Sequence, residues 1–397
     1  MDVKVSVIVP IHNGGEYLKE SMECIVSQTL REIEILCVDD GSTDDSVDII
    51  EEFRKKDDRI QLYCNEKSNA GAARNYALDR AHGKYLLFWD SDDLFDVRAA
   101  EMLYQKMEAD KADIGVCNAD HYDTLEQIYI EKPQYLDKKK LPDEIPFSNM
   151  TNRRYIFNFT SQVAWNKMFR REFVEKNAIR FQEIPRINDH YFVSVSMALA
   201  ECITIVDEVL VHYRVNQKNN LTNSSSDSPL CKYDVQCDLK RKLLELGLLK
   251  DDLIKQSFTN KALNTMLHGL NIQNNIEGFQ ILYNKLREEG LSYLELKDYG
   301  EDYYYNLLEY RNLKYIMDNS YEEYLLIKCI EYRDTISRKN DQIKKKEACL
   351  KDLRKEKKEL QKKERELNYI KSTKRYKFMA KLTSLYHRVF SRGRKKV

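Results

Sequence analysis

The stretch Tyr85–Asp96, YLLFWDSDDLFD, runs five apolar or aromatic residues straight into Asp90, Asp92 and Asp93, with Asp96 close behind. The run is short and near-continuous, as in a strand buried on both faces. Carboxylates a few ångströms apart repel, and one of them protonates unless a cation sits among them. So either the acids splay into solvent or something positive belongs at this strand end. An Asp-x-Asp at the end of an extended segment puts two carboxylates on one side of the backbone. Such oxygens suit a hard divalent cation, Mg(II) or Mn(II). Alone, so short a motif reads first as a solvated acidic turn capping the next helix.

Working outward, the first ~115 residues alternate strand-like and helix-like segments. Strands are expected at 4–11, 33–40, 60–65, 84–89 and 112–119. Helices are expected at 18–28, at 45–56 with Ser42, Thr43 or Asp44 as N-cap, at 70–83 closed by Gly83, and near 97–110. Near-continuous apolar strands alternating with amphipathic helices predict an α/β fold with a mostly parallel sheet. Ligands of such sheets bind beyond the carboxyl ends of the strands. Here those ends read PIHN, VDDGSTDD, CNEKSNAG and WDSDD, so three of the four are polar and two strongly acidic.

The chain has 397 residues, enough for two or three domains with a sizeable core. A third of the residues are charged and the mean hydropathy is −0.64, as in a soluble protein. No apolar run approaches the ~18 residues that span a bilayer. The N-terminus enters a strand-like run at once, and no signal peptide is expected. Nine cysteines without a CxxC pair point to reduced thiols and a cytoplasmic setting. The formal net charge of zero hides an asymmetry: Lys371–Val397 holds ten Lys or Arg and no acid. A basic tail on an acidic body implies an anionic partner for the tail.

Order and spacing then matter. VSVIVPIHNGGEYLKESMECIVSQTLREIEILCVDDGSTDDSVDII is followed by NAGAARNYALDRAHGKYLLFWDSDD. Pro10 ending the first strand, SQTL, VDDGSTDDS, NAGAARN and DSDD together resemble the family 2 glycosyltransferases of the bacterial surface-polysaccharide type. The resemblance covers roughly residues 3–215 and is strongest over 3–96. It implies a GT-A fold, a nucleotide-sugar donor (a UDP-sugar), an Mn(II) or Mg(II) cofactor that aids departure of the diphosphate, and inversion at the sugar carbon.

Residue by residue, the resemblance implies that Pro10 borders the base and that Asp40 accepts the imino N–H of uracil, with Asp39 structural. Arg74 reaches the nucleotide or diphosphate, while Asn75 braces the fold. Asp90, Ser91 and Asp92 contact the donor; Asp92 and Asp93 contact the metal, with His212 a candidate further ligand. The general base of the family is an Asp opening a helix, usually within Glu-Asp-x-x-Phe. Here EIPRINDHYF supplies Asp189 and Phe192, and Asn188 replaces the Glu. Asp189 is expected to take the acceptor's proton, and equally to cap its helix. Trp165 and Lys167 match a Trp-x-Lys segment lining the acceptor or sugar pocket. Tyr213 and Arg214 match a Tyr-Arg loop that continues, imperfectly, to Asn220 and Thr222.

The expected organisation is a catalytic domain over 1–216, a linker over 217–229, a helical domain over 230–320, a long charged helix over 321–368 and a basic tail over 369–397. Ile336, Ile343, Leu350, Leu353, Leu360 and Leu367 form a partial heptad seam, broken by Lys339, Lys346 and Lys357. It is consistent with a coiled coil, a route to a homo-oligomer, or with a solvated single helix. In the tail, Phe378, Met379, Leu382, Leu385, Tyr386, Val389 and Phe390 fall at helical spacing among Lys and Arg. That pattern fits an interfacial helix on anionic lipid; nucleic acid or another protein are the other anionic surfaces. The function expected is metal-dependent sugar transfer to a lipid-linked or growing surface glycan at the inner membrane face. The competing class is a membrane-docked helical assembly protein with a degenerate transferase domain. A nucleotidyltransferase is disfavoured because PIHNGGEY carries no Lys or Arg.

Overall fold

The computed structural model describes residues 3–65, 69–216 and 227–392, the last seven by backbone alone. Two compact units divide the chain, Met1–Tyr321 and Glu322–Val397.

Among its described residues the first unit is built on nine strands: β1 (Val5–Ile11), β2 (Ile33–Asp39), β3 (Ile60–Cys64), β4 (Tyr85–Phe88), β5 (Leu94–Phe95), β6 (Ile114–Asp123), β7 (Ile128–Glu131), β8 (Lys167–Arg170) and β9 (Ile203–Val215). Their order is β3-β2-β1-β4-β8-β6-β9-β5, with β7 on β6. Strands β1–β4 pair in parallel, as does β6 with β9. Strand β8 runs antiparallel between β4 and β6. Every residue of β1, β2 and β4 is buried, which is why these segments read as unbroken apolar runs. Strand β3 is the edge of the sheet and half-exposed.

Helices α1 (Gly15–Val26), α2 (Ser46–Arg54), α3 (Ala70–Leu78) and α4 (Ala99–Asp110) follow the early strands. Two expectations need correction. The N-cap of α2 is Asp45; Asp44 turns its carboxylate to Ser46 N–H and, across the site, to Gly15 N–H. Helix α3 ends at Leu78, not Gly83. Gly83 sits where a Cβ would lie 2.4 Å from Ser6 N, so its lack of a side chain serves close packing on β1.

Two helices approach the middle of the sheet, α5 (Arg171–Lys176) and α6 (Asn188–Leu199). The stretch 230–320 forms α7 (Cys231–Glu245), α8 (Asp252–Asn271), α9 (Ile276–Lys285), the short turn α10 (Leu291–Tyr293) and α11 (Leu307–Asp318), in the same compact unit as the sheet. In the second unit, α12 (Tyr321–Ser372) starts at the unit boundary and α13 (Lys374–Arg392) follows. Residues 217–226, including Asn220 and Thr222 and most of the expected linker, lie outside the described residues.

Candidate active site

The parallel strands deliver their polar ends to one edge of the sheet. At the end of β2, Asp39 and Asp40 divide their work. The Asp39 carboxylate accepts from Gly41 N–H and Ser42 N–H and so shapes the turn. Gly41 takes φ +80°, a conformation that favours glycine. Asp40 is buried and accepts from Asn65 Nδ2 at 3.0 Å. Burial pushes its carboxyl up, and the Asn65 bond opposes that. Pro10 is buried one residue before the end of β1, opposite Val38. Asn13, at φ +50°, accepts from Thr43 N–H through Oδ1, and Gly14 N–H donates to Ser46 Oγ. These bonds stitch the loops after β1 and β2 together. Ser91 closes against them: a Cβ on Gly14 would lie 3.3 Å from its Oγ.

The acidic turn after β4 is held from three sides. Trp89 is buried and stacks on Phe95, 4.2 Å between centroids. Ser21 on α1 donates to the Asp93 carbonyl at 2.7 Å. Arg214 on β9 donates its backbone N–H to Asp93 Oδ1 and its Nε to the Asp92 carbonyl. Its Nη2 reaches Glu20, and its guanidinium lies over Tyr17. Arg214 is buried, so it does not line an open sugar pocket as expected; it clamps the turn that carries the acids. Asp93 is fully buried, and its Oδ2 has no partner among the described residues. Burial, then the charges of Asp92 and Asp90, pushes its carboxyl well above the usual range.

Arg74 links this turn to α6. Its Nη2 donates to Asp90 Oδ1 at 2.5 Å and its Nη1 to Asn188 Oδ1 at 2.6 Å. The buried fork of a guanidinium can serve two acceptors at once. Asn188 therefore supplies an acceptor to Arg74 without adding a fourth carboxylate beside Asp90. The two elements come this close because Gly71 has no side chain: a Cβ there would lie 2.1 Å from Gln182 O. Phe192 anchors α6, stacked on Phe181 at 4.0 Å and edge-on to Phe88 of β4 at 5.3 Å. That gives a packing reason for an aromatic three residues after Asp189. The N-cap of α6 is Ile187, so Asp189 is not the cap of its helix. Burial raises its carboxyl pKa, the Arg74 cation opposes that, and Asp90 adds to it.

Three further expectations change. Lys167 is not in an open pocket: it is fully buried, and Nζ donates to Ser161 O, Val163 O and Asn166 Oδ1. Burial pushes its pKa down to about 7; the three acceptors oppose this, because only the ammonium has three N–H groups. Trp165 is buried and stacks on Tyr213 at 5.7 Å and 5°, tilted against Tyr135. Tyr213 itself is partly exposed. His212 holds Asp120 Oδ1 through Nδ1 at 2.6 Å. Among the described residues no three His, Cys, Asp or Glu side chains converge as a ready metal site.

Several neighbours were not singled out from sequence. Asn65, Ser21 and Glu20 brace site residues from other elements. Lys232 on α7 and His190 on α6 lie near Asp189 and Lys261 on α8; burial pushes Lys232 down to about 8 and Lys261 to about 7. These residues carry no local pattern: they meet only when helices 40–80 positions apart fold together.

Comparisons with known proteins give the family and the fold. The profile described as Glycosyl transferase family 2 matches residues 6–177. The cholesterol galactosyltransferase of Borreliella burgdorferi is 31% identical over 248 residues, 61% of this chain and 68% of that protein. The chain belongs to the family 2 glycosyltransferases. Glycosyltransferase GlyA of Streptococcus pneumoniae is 32% identical over 221 residues, which is 55% of this chain but 31% of that protein's length. In fold, the chain is similar to S. aureus TarS 1-349 solved with UDP-GlcNAc, at TM-score 0.62 and 20% identity over 84% of this chain and 92% of that one. A family 2 transferase with a GT-A-like sheet is thus the frame for the residues above.

Proposed function

We propose that the protein is an inverting transferase that moves a sugar from a UDP-sugar to a hydroxyl of a lipid-linked or growing surface glycan. The observation that carries this is the Arg74 fork, which ties Asp90, at the donor end, to Asn188, the residue before Asp189. In this reading the uracil sits over the end of β1 at Pro10 and offers its imino N–H to Asp40, which Asn65 orients. Ser91, Asp90 and Asp92 face the ribose and diphosphate. The acceptor hydroxyl attacks the anomeric carbon as the bond to the diphosphate oxygen breaks. The hydroxyl proton passes to Asp189, and the electron pair of the broken bond leaves on UDP. A raised carboxyl pKa makes Asp189 a better proton acceptor once it is ionised.

The donor set suits a divalent cation. Asp93 Oδ2 is a buried acceptor with no partner among the described residues, and Asp92 stands next to it. The carboxylates of Asp92 and Asp93 would hold Mg(II) or Mn(II) through hard oxygens. When bound, the metal supplies positive charge against the departing diphosphate. His212, held by Asp120, is the proposed outer contact. TarS, which shares the fold, is solved with UDP-GlcNAc, and that nucleotide-sugar is the first donor to test. Incubating the protein with UDP-GlcNAc and other UDP-sugars, with Mn(II) or with excess EDTA, tests the proposal. UDP release that depends on the metal is expected. Full turnover in EDTA, or no binding of any UDP-sugar, would overturn it.

We place the work at an anionic membrane face. Helix α13 exposes Phe378, Met379, Leu382 and Leu385 among basic residues. No helix among the described residues is long and apolar enough to cross a membrane, so attachment would be peripheral.

A further inference from the structure

Helix α12 runs unbroken for 52 residues. Its seam residues Ile336, Ile343, Leu350, Leu353, Leu360 and Leu367 are each between 48% and 66% exposed, so none of the described residues covers them. Placing Ile336, Ile343 and Leu350 at a positions puts Leu353, Leu360 and Leu367 at d. The interrupting residues then fall on the same seam: Lys339 and Lys346 at d, Lys357 and Glu364 at a. From Ile336 to Leu367 the seam reads apolar, charged, apolar, charged, apolar, apolar, charged, apolar, charged, apolar. It reads the same backwards.

A palindromic seam fits a second copy of itself running the other way. In an antiparallel pair an a residue meets a d residue of the partner. With the two-fold axis between Lys351 and Asp352, Ile336 meets Leu367, Ile343 meets Leu360 and Leu350 meets Leu353. Lys339 then meets Glu364, and at the flanking e positions Glu347 meets Arg354. Only Lys346 against Lys357 is like-charged. A parallel, in-register pair keeps the same apolar layers but sets Lys339, Lys346, Lys357 and Glu364 each against its own copy. The apolar term is equal in the two arrangements, so charge decides, and it favours antiparallel. None of these six charged side chains has an ion pair within its own chain among the described residues. Moving the axis by half a heptad in either direction breaks the apolar layers, because Leu350 or Leu353 then faces a lysine.

We propose that α12 is a homodimerisation helix that pairs antiparallel with α12 of a second copy, centred between Lys351 and Asp352. A left-handed supercoil keeps the seam facing its partner over this length. The first turns of the two helices then lie at opposite ends of the pair, roughly 45 Å apart for Ile336 and its copy at 1.5 Å per residue.

Two substitutions of identical chemistry, seven residues apart, test both pairing and direction. In the full-length protein, Lys346→Glu turns the repulsive contact with Lys357 into an attractive one, twice per dimer. Lys339→Glu turns the attractive contact with Glu364 into a repulsive one, twice per dimer. The dissociation constant from sedimentation equilibrium is expected to fall roughly ten-fold in the first and rise roughly ten-fold in the second, the scale of two exposed ion pairs. In a parallel, in-register pair each substitution only exchanges one like-charge contact for another, so the two would not shift the constant in opposite directions, and that outcome would overturn the proposal. Both sites are exposed, so neither change threatens folding. Leu350→Glu with Leu353→Glu is expected to yield monomer with an unchanged melting transition of the first unit. A wild-type chain that stays monomeric at all concentrations, or responses of the same sign, would overturn the proposal.

Discussion

The turn Asp90–Asp93 and the helices α12–α13 break the usual partition of residues in opposite directions. The turn buries charge: Asp93 is fully enclosed, with Asp90 and Arg74 beside it. The helices expose hydrocarbon: Leu350, Leu360, Phe378 and Leu385 all stand in solvent. A buried carboxylate with an unpaired oxygen and an exposed leucine with no neighbour are both incomplete. In the proposed reading a cation and diphosphate complete the one, and an apolar surface completes the other. The two regions also differ in how they hold their shape. The turn is over-determined by Ser21, Arg214 and Trp89 from three elements. Past the buried Tyr324 near the start of α12, the seam and tail residues of the helices stand exposed, so their shape there is set locally.

If the turn and α6 form one catalytic centre, the largest effect in the molecule belongs to Asp189. Asp189→Asn is expected to fold, to bind UDP-sugar with nearly unchanged affinity, and to lose transfer by roughly 10²–10⁴, the span of a general base. Its carboxylate is not the cap of α6, so helix stability gives no competing explanation. Calorimetric donor binding and a turnover assay on the same preparation separate the two effects. A variant with wild-type turnover would break the comparison at its first term, leaving the buried acids as structural.

The exposed helix offers a smaller, salt-dependent effect. The ten Lys and Arg of 371–397 are expected to draw the protein to vesicles containing anionic lipid. Each contributes about 1 kcal/mol near the surface, and salt screens that term. The apolar face adds a term that salt does not screen. Replacing Phe378, Met379, Leu382 and Leu385 by Ser should therefore remove the salt-resistant part of binding, by on the order of 100-fold in partition, and spare turnover of a soluble acceptor. Co-sedimentation with vesicles across a salt series measures both parts. Deletion of 371–397 with no change in sedimentation, or a preference for RNA over anionic vesicles, would remove the membrane from the account.

How much of this was legible in sequence depended on distance along the chain. Strands β1, β2 and β4 could be read because every residue of each is buried, which writes a continuous apolar run. Asp90, Asp92 and Asp93 stood out because their chemistry lies within four residues. The antiparallel insertion of β8 was not legible, since KMFR has no pattern that distinguishes it from a parallel strand. The resemblance to the family's Trp-x-Lys and Tyr-Arg segments puts Lys167 and Arg214 at the acceptor or sugar pocket. Their side chains instead hold backbone carbonyls, the acidic turn and Glu20, partners up to 194 positions away. Glycines 71 and 83 illustrate the same limit: what excludes a Cβ there is a backbone atom from a remote segment.

Arg74 sits where the two halves of the proposed centre meet, and it sets the smallest and most diagnostic expectation. Burial raises the Asp189 pKa, and the Arg74 cation holds it down. The base works only when ionised, so turnover should rise with pH through that pKa and then level off. Removing the cation lets the pKa climb further, which moves the acid limb to higher pH and leaves more of the base protonated at neutrality. Arg74→Gln is thus expected to lower turnover at neutral pH by roughly ten-fold, the scale of one lost charge-assisted interaction, and to recover part of it as pH rises. Arg74→Lys keeps the charge without the fork. It should leave the acid limb near its wild-type position while weakening donor binding, because one ammonium cannot reproduce the two directed bonds to Asp90 and Asn188. Rate profiles of the three proteins over pH, each checked by thermal melting, distinguish these outcomes. If the limb stays fixed in Arg74→Gln, the charge at position 74 does not act on the base, and the link between the buried acids and Asp189 is one of packing only.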